Sequence, residues 1–308
     1  MLKTLRVMLI PNNYQNTRLF QFAGTARFSY NWALEQEKKS YDTDGKFING
    51  YELRKRFTVF KNEVDNKWLY TISNNVCKQA IKDAVDAYQR FFKGLAQHPN
   101  YKSRKGSKPK FYVDPVKIKF TGTHVKLENI AQSRKKNRQS ANWFRLAEHD
   151  RIPVNANYSN PRVSFDGINW FLTVGIECTE QSIVAINDGV GIDLGVKDLA
   201  ICSSGHVYKN INKSSRVRRL KKKQRRLQRK ISRKYNKNKK GESYQKTRNI
   251  IKSEKQLLRI NHRLTNIRTN HIQQATSEIV KREPSFIVME DLNASINLYQ
   301  YGKSVINH

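Results

Sequence analysis

The chain has 308 residues, with 59 Lys and Arg against 25 Asp and Glu and a formal net charge of +34. That length accommodates two or three domains with their own cores, and a charge excess that opposes compaction implies a polyanionic partner. No apolar run approaches the ~18 residues of a membrane span, "MLKTLRVMLIPNN" turns polar too early for a signal peptide, and Cys77, Cys178 and Cys202 are scattered without a CxxC pair, so they read as reduced core thiols rather than zinc ligands.

In chain order, "TLRVMLIP" alternates as an opening strand. The segment "NTRLFQFAGTARFSYNWALEQEKKSYD" carries Leu19, Phe22, Ala26, Tyr30 and Ala33 near helical spacing. A second helical stretch contains Asp83 to Phe92, and the Pro, Gly and Ser of "HPNYKSRKGSKPKFY" break it. From Val113 to Glu177 the pattern becomes short strands and turns: "VKIKF", "HVKLENI" and "RVSFDGINWFLTVGIE". The last has Asp-Gly between two apolar runs, a hairpin signal. The polar "AQSRKKNRQSAN" within this region predicts an exposed loop.

The β pattern restarts near Ala185 with "GVGIDLGVKDLAICSSGHVYKN", read as a strand, a turn at Gly195 and a second strand. Asp193 lies inside the apolar first strand, where an unpaired carboxylate is costly. It therefore predicts a buried carboxylate holding a divalent cation, the alternative being a solvent-facing strand end. Between Lys213 and Gly241 there is no acidic residue. Val217, Leu220, Leu227 and Ile231 keep helical spacing, which predicts an amphipathic helix with one apolar stripe and a cationic remainder. Ordinary solvated helices mix signs to gain i,i+4 pairing. The run therefore reads as a nucleic-acid backbone contact through Arg216, Arg218, Arg219, Lys221, Lys222, Lys223, Arg225, Arg226, Arg229, Lys230, Arg233 and Lys234. A long helix from Ile250 to Val280 follows, with Leu257, Ile260, Leu264, Ile267, Ala275 and Ile279 on its inner face. Finally, the first half of "FIVMEDLNASINLYQYGKSVINH" reads as a buried strand delivering the carboxylates Glu290 and Asp291, and "NASINLYQYG" as the continuation of a different strand end.

These motifs carry a resemblance. "ARFSYNWAL", "HPNYKSRKGSKPKF", "SFDGINWFLTVGIE", "GIDLGVKDLAICSSG" and "FIVMEDLN", in that order, resemble the TnpB family of RNA-guided nucleases of insertion sequences, related to type V CRISPR effectors. "GIDLG" also resembles the first phosphate loop of actin and chaperone-type ATPases. Val196-Lys197 stands where those loops carry Thr or Ser, and no Asp-Gly-Gly motif follows.

The TnpB resemblance implies an α+β chain. Residues 1–12 and 105–184 would form a wedge-type β-barrel, and residues 13–104 an inserted helical recognition lobe. Residues 185–308 would form an incomplete RNase-H-like (RuvC) α/β domain with a long basic helical hairpin and no zinc element. It implies a guide RNA, a double-stranded DNA target with a short flanking motif, and a bacterial cytoplasmic, nucleoid-associated setting. It also implies further nucleic-acid contacts from Lys102, Arg104 and Lys105.

In one respect the chain departs from the family pattern. "NASINLYQYG" resembles the tail of a third RuvC motif fused directly onto "MEDL", where the family has a helix and a four-cysteine zinc element. On that alignment Asp193, Glu290 and Asp291 are the catalytic carboxylates, with the last two adjacent. Neighbouring strand residues point to opposite faces, so the three are expected to be vestigial, with magnesium weak or absent at Asp193 and Glu290. The expectation is a nuclease-deficient, RNA-guided DNA-binding protein that represses transcription by occupying its target, similar to the TnpB-like nuclease-dead repressors (TldR). The alternatives are an active endonuclease completed by Asp188 or Asp198, and a decaying transposon remnant.

Overall fold

The computed structural model describes residues 2–104, 106–131, 140–178, 188–241, 243–244 and 246–290. The chain divides into two compact units, Met1–Glu180 and Gln181–His308.

The first unit opens with β1 (Leu2–Ile10), whose Val7 and Leu9 alternate inward as the sequence predicts. Asn12 then caps α1 (Asn13–Asp44) in a reciprocal capping box with Gln15. The helix ends at Gly45, whose φ of 61° is the left-handed geometry that glycine adopts without a Cβ penalty. α2 (Gly50–Asn62), a 3-10 segment (Val64–Thr71) and α3 (Asn74–Phe92) follow. Of these, only α3 contains a helix legible from periodicity.

Six strands complete the unit: β2 (Lys110–Tyr112), β3 (Lys119–Phe120), β4 (His124–Lys126), β5 (Trp143–Leu146), β6 (Tyr158–Phe165) and β7 (Trp170–Glu177). They pair with β1 in the order β2-β6-β7-β1-β5-β4-β3, every pairing antiparallel. The predicted Asp-Gly hairpin joins β6 to β7: Asp166 accepts from the amides of Ile168 and Asn169, and Gly167 takes φ 100°.

The expected β-barrel is corrected here. The seven-stranded sheet is open, because the terminal strands β2 and β3 do not pair with each other. The helices and this sheet share one hydrophobic core, in which Leu19, Phe22 and Leu34 of α1 join Ile81 of α3 and Trp170 and Leu172 of β7. Trp170 is fully enclosed and donates its indole N–H to Asn16 at 2.8 Å. The "AQSRKKNRQSAN" loop lies largely outside the described residues.

The second unit carries β8 (Val190–Leu194), β9 (Asp198–Cys202), β10 (Val207–Lys209), α4 (Ser215–Lys237), the two-residue strands β11 (Lys239–Lys240) and β12 (Ser243–Tyr244), α5 (Arg248–Val280) and β13 (Ile287–Glu290). Its sheet runs β10-β9-β8-β13. The first three strands are antiparallel, and β13 returns after the helices to lie parallel to β8. Ile192, Ala200, Cys202 and Tyr208 of the sheet pack under Ala275 and Ile279 of α5. A Cβ at Gly189 would collide with the Phe286 ring, and this close approach lets Val190 N–H reach the Phe286 carbonyl at 2.9 Å, starting the parallel ladder. No helix among the described residues is long and apolar enough to cross a membrane.

Candidate nucleic-acid interface and carboxylate site

Ser214 starts α4 by accepting a hydrogen bond from the Val217 amide at 3.3 Å. Val217 and Ile231 are buried, Leu220 and Leu227 partly so, and this stripe packs on Ile260, Leu264 and Ile267 of α5. Gln224 donates to Asn261 at 2.7 Å and Lys234 to Ser253 at 3.3 Å, so the two helices run antiparallel as a hairpin.

With the apolar stripe turned inward, the cations face out. Arg216, Arg218, Arg219, Lys222, Lys223, Arg225, Arg226, Arg229, Lys230 and Arg233 are exposed, while Lys221 and Lys234 are half-buried. Among the described residues no ion pair involves an α4 side chain. Like charges at i,i+4, such as Arg218–Lys222, Lys222–Arg226 and Arg226–Lys230, each cost about 0.2–0.5 kcal/mol in an isolated helix. A row of phosphates would turn each cost into an attraction.

The other expected contacts lie in the first unit. Arg104 is exposed and Lys105 lies outside the described residues. Lys102 is half-buried, its ammonium 3.2 Å from the centroid of the Tyr30 ring. Burial lowers it to about 8, opposed by Asp83 and reinforced by Lys110 and Arg162.

The carboxylates are arranged by the second sheet. Asp193 is half-buried near the end of β8, not buried as predicted, because the strand ends one residue later at the exposed Leu194. Its register partners are Ile201 on β9 and Glu290 on β13. Asp193 and Glu290 therefore lie level at the carboxyl ends of two parallel strands, the position where open α/β sheets hold ligands. Asp291 lies outside the described residues.

Asp188 precedes β8 at the opposite end, roughly 16 Å of extended chain from Asp193. It lines a different surface hollow, with Ser203, Ser204 and Arg282. Asp198 begins β9, and a bulge in the β9–β10 ladder pairs it with Lys209, which shares a face with Val207 and its partner Ile201, so alternation along β9 does not turn Asp198 away from the Asp193 face. Among the described residues no group of three His, Cys, Asp or Glu side chains converges as a metal site.

Three features of the first unit escaped the sequence reading. Arg18 is buried on α1 and donates to the carbonyls of Ile130, Thr71 and Asn129 at 2.9, 2.8 and 3.1 Å. Asp83 of α3 takes a bidentate pair from Arg162 of β6 at 2.6 and 2.9 Å. Burial alone would raise Asp83, but hydrogen bonds from Arg162 and Gln79 outweigh it and hold the carboxyl below its ordinary range.

Glu37 is the third. It is 1 % exposed; its Oε2 accepts from the Ile48 amide at 2.9 Å, and Oε1 has no hydrogen-bond partner. Burial pushes the carboxyl up to about 7, eased in part by the Ile48 bond and the Arg56 charge. A signal for it was available. The apolar spacing through Ala26, Tyr30 and Ala33 extends by one step of four onto Glu37, placing a carboxylate on the inward face of α1.

Residues 172–297 match the OrfB_IS605 family, described as "Probable transposase", and residues 1–46 match a model described as "Helix-turn-helix domain". The latter span is one strand and one long helix here. InsQ of Escherichia coli (strain K12), whose name describes an RNA-guided DNA endonuclease, is 26 % identical over 295 residues, covering 96 % of this chain and 67 % of that protein. A Streptomyces pristinaespiralis protein named for the same activity is 25 % identical over 302 residues, covering 98 % of this chain and 69 % of its own. In fold, the chain is similar to the protein of a Cas12f1-sgRNA-target DNA complex, with a TM-score of 0.50, 11 % identity, and coverage of 96 % of this chain and 82 % of that one.

Proposed function

The chain is a member of the TnpB family, and from that premise we propose that it is an RNA-guided DNA-binding protein that occupies its target without cutting it. The observation that carries the binding half is α4, a solvent-facing helix surface of cations with no acidic residue and no ion pair among the described residues. Such a surface suits the phosphates of a guide RNA and its heteroduplex with DNA. Base pairing then reads the sequence, while the protein grips shape and a short flanking motif. The expected partners are thus a guide RNA and a double-stranded DNA target, and a bound promoter would be blocked by occupancy.

The second half rests on the carboxylates. Two-metal hydrolysis needs carboxylates converging on cations about 3.5–4 Å apart, so that the attacking and leaving oxygens are both held. Asp193 and Glu290 are level across one strand pair, and the next carboxylate in the chain is the immediately following residue, Asp291. In an extended strand that residue alternates to the other face. With Asp291 turned away in this manner, the strand ends would offer too few converging oxygens to hold two magnesium ions. The competing reading, an active nuclease, is favoured by the register of those same two residues at the strand ends.

One experiment decides. The protein is purified with the RNA it carries, that RNA is sequenced, and matched DNA is offered in magnesium and in manganese. The expected result is guide-dependent binding without strand breaks, unchanged in Asp193→Ala. Guide-dependent cleavage that vanishes in Asp193→Ala would overturn the proposal in favour of the nuclease.

A further inference from the structure

A cavity of about 260 Å³ opens in the first unit between α1, α3, β2 and β6. It is smaller than the ~300–1,000 Å³ of sites that enclose whole small molecules, so it suits one compact group. Its lining is strongly cationic. Arg27 of α1, Lys102, Lys108, Lys110 of β2 and Arg162 of β6 stand there with a single carboxylate, Asp83 of α3. That carboxylate is already occupied, since Arg162 donates to both of its oxygens. Among the described residues, none of the other four cations makes an ion pair.

Lys102 is held in place through its backbone. The Asn31 side chain of α1 accepts from the Lys102 amide at 2.8 Å and donates to its carbonyl at 2.9 Å. This two-point clasp fixes the chain where the ammonium lies over the Tyr30 ring, 3.2 Å from its centroid. Lys102 is half-buried but its ammonium keeps solvent-accessible surface, and Lys110 is exposed, so a guest in the cavity reaches both. The arrangement works against its own charge. Desolvation brings Lys102 down to about 8, and Lys110 and Arg162 push the same way while Asp83 opposes them. An anion in the cavity removes that conflict, because an opposite charge close by favours the ionised ammonium. A chain of net charge +34 draws polyanions, and lysine binds phosphate as a point charge.

We propose that this cavity seats one phosphate group of the bound nucleic acid, held by Lys102 and Lys110. The inference rests on the RNA-guided reading given above and goes beyond it. The cations of α4 are exposed and suit any row of phosphates, whereas a cavity takes one phosphate at one place. Such a contact carries no sequence information; it fixes the register and orientation of the strand on the first unit. A phosphodiester within a strand and a phosphate at its end share this chemistry.

The test uses the purified full chain with isotope-labelled lysine side chains, read by NMR. Lys102→Met, which keeps an apolar stem over the Tyr30 ring, identifies the Lys102 signal. That signal should titrate at about 8, apart from ordinary lysines at ~10.4. Inorganic phosphate should raise its midpoint by about 1–3 pH units, and sodium chloride of equal ionic strength should not. Lys102→Met combined with Lys110→Gln should lower the slope of log affinity against log salt by about 0.7–0.9, the share of one phosphate and not of two.

Two comparisons distinguish the sources. The slope is measured for RNA and for matched DNA, and the strand that loses it in the double variant supplies the phosphate. Oligomers of that strand with a terminal phosphate or a terminal hydroxyl then separate an end from an internal position. A Lys102 midpoint that ignores phosphate, or moves equally with chloride, would overturn the pocket. A midpoint that moves while the slopes for RNA and DNA both stay unchanged would overturn the nucleic-acid source. Failure to retain any RNA is a separate outcome: it overturns the RNA-guided reading, while the phosphate titration still judges the pocket.

Discussion

Glu37 offers a measurement that isolates one residue in a chain of 308. Its carboxyl is pushed from an ordinary 4.5 up to about 7. Below 4.5 the folded and unfolded chains both hold the proton. Between those values the unfolded chain releases it while the folded chain keeps it, so stability falls as pH rises across the window. Above about 7 the full penalty applies, on the order of 3 kcal/mol for this displacement. Glu37→Gln keeps an acceptor for the Ile48 amide but cannot ionise. Its absolute stability depends on where the new amide hydrogens point, so the informative quantity is the difference in slope.

The assay is urea unfolding at pH 5, 6, 7 and 8 followed by tryptophan fluorescence. All four tryptophans, Trp32, Trp68, Trp143 and Trp170, lie in the first unit and report on it alone. The wild type should lose stability relative to Glu37→Gln between pH 5 and pH 8, by up to about 3 kcal/mol. Parallel profiles for the two proteins, or a wild type that gains on the variant as pH rises, would refute the burial argument.

Three further outcomes are expected. Replacing Arg225, Arg226, Arg229 and Lys230 together by Gln should lower the slope of log affinity against log salt for RNA by about 3, because each lost phosphate contact removes about 0.7–0.9; an unchanged slope would make the α4 surface a merely solvated one. Arg162→Met should cost about 1–3 kcal/mol at neutral pH by stripping Asp83 of its charged hydrogen bonds. Because Asp83 is held below its ordinary range, the wild-type advantage should disappear as acid protonates it, read by the same tryptophan signal. Gly189→Ala should push the Phe286 ring out of place and cost about 1–3 kcal/mol; the expected sign is loss of amide-exchange protection along β8 and β13, and full protection would show that the ring is free to move.

Much of the chain was legible from periodicity. The alternation of "TLRVMLIP", the 3.6-residue spacing from Leu19 to Ala33 and the Val217–Ile231 stripe became β1, α1 and the inner face of α4. These are local patterns, and each is decided by which residues a single element must turn inward. The exposure of the α4 cations followed for the same reason, since one stripe turned inward leaves the rest in solvent. The adjacency of Glu290 and Asp291 is likewise a property of the sequence and needs no fold.

What the sequence did not determine depends on segments brought together from far apart. The first sheet stays open because β2 and β3 end on opposite edges, and strand closure is a matter of register and twist that no single strand encodes. Asp193 and Glu290 are 97 positions apart, and only the parallel ladder between β8 and β13 sets them level. α2 went unread because its buried face is narrow, just Leu53 and Phe57 with the stem of Lys61. Glu37 is the sharpest case. Its place on the inward face of α1 was written in the helical spacing, but the aromatic walls around it come from α3, Phe47 and Tyr101. Tertiary burial, with one oxygen held by the Ile48 amide, is what turns an ordinary glutamate into a buried acceptor.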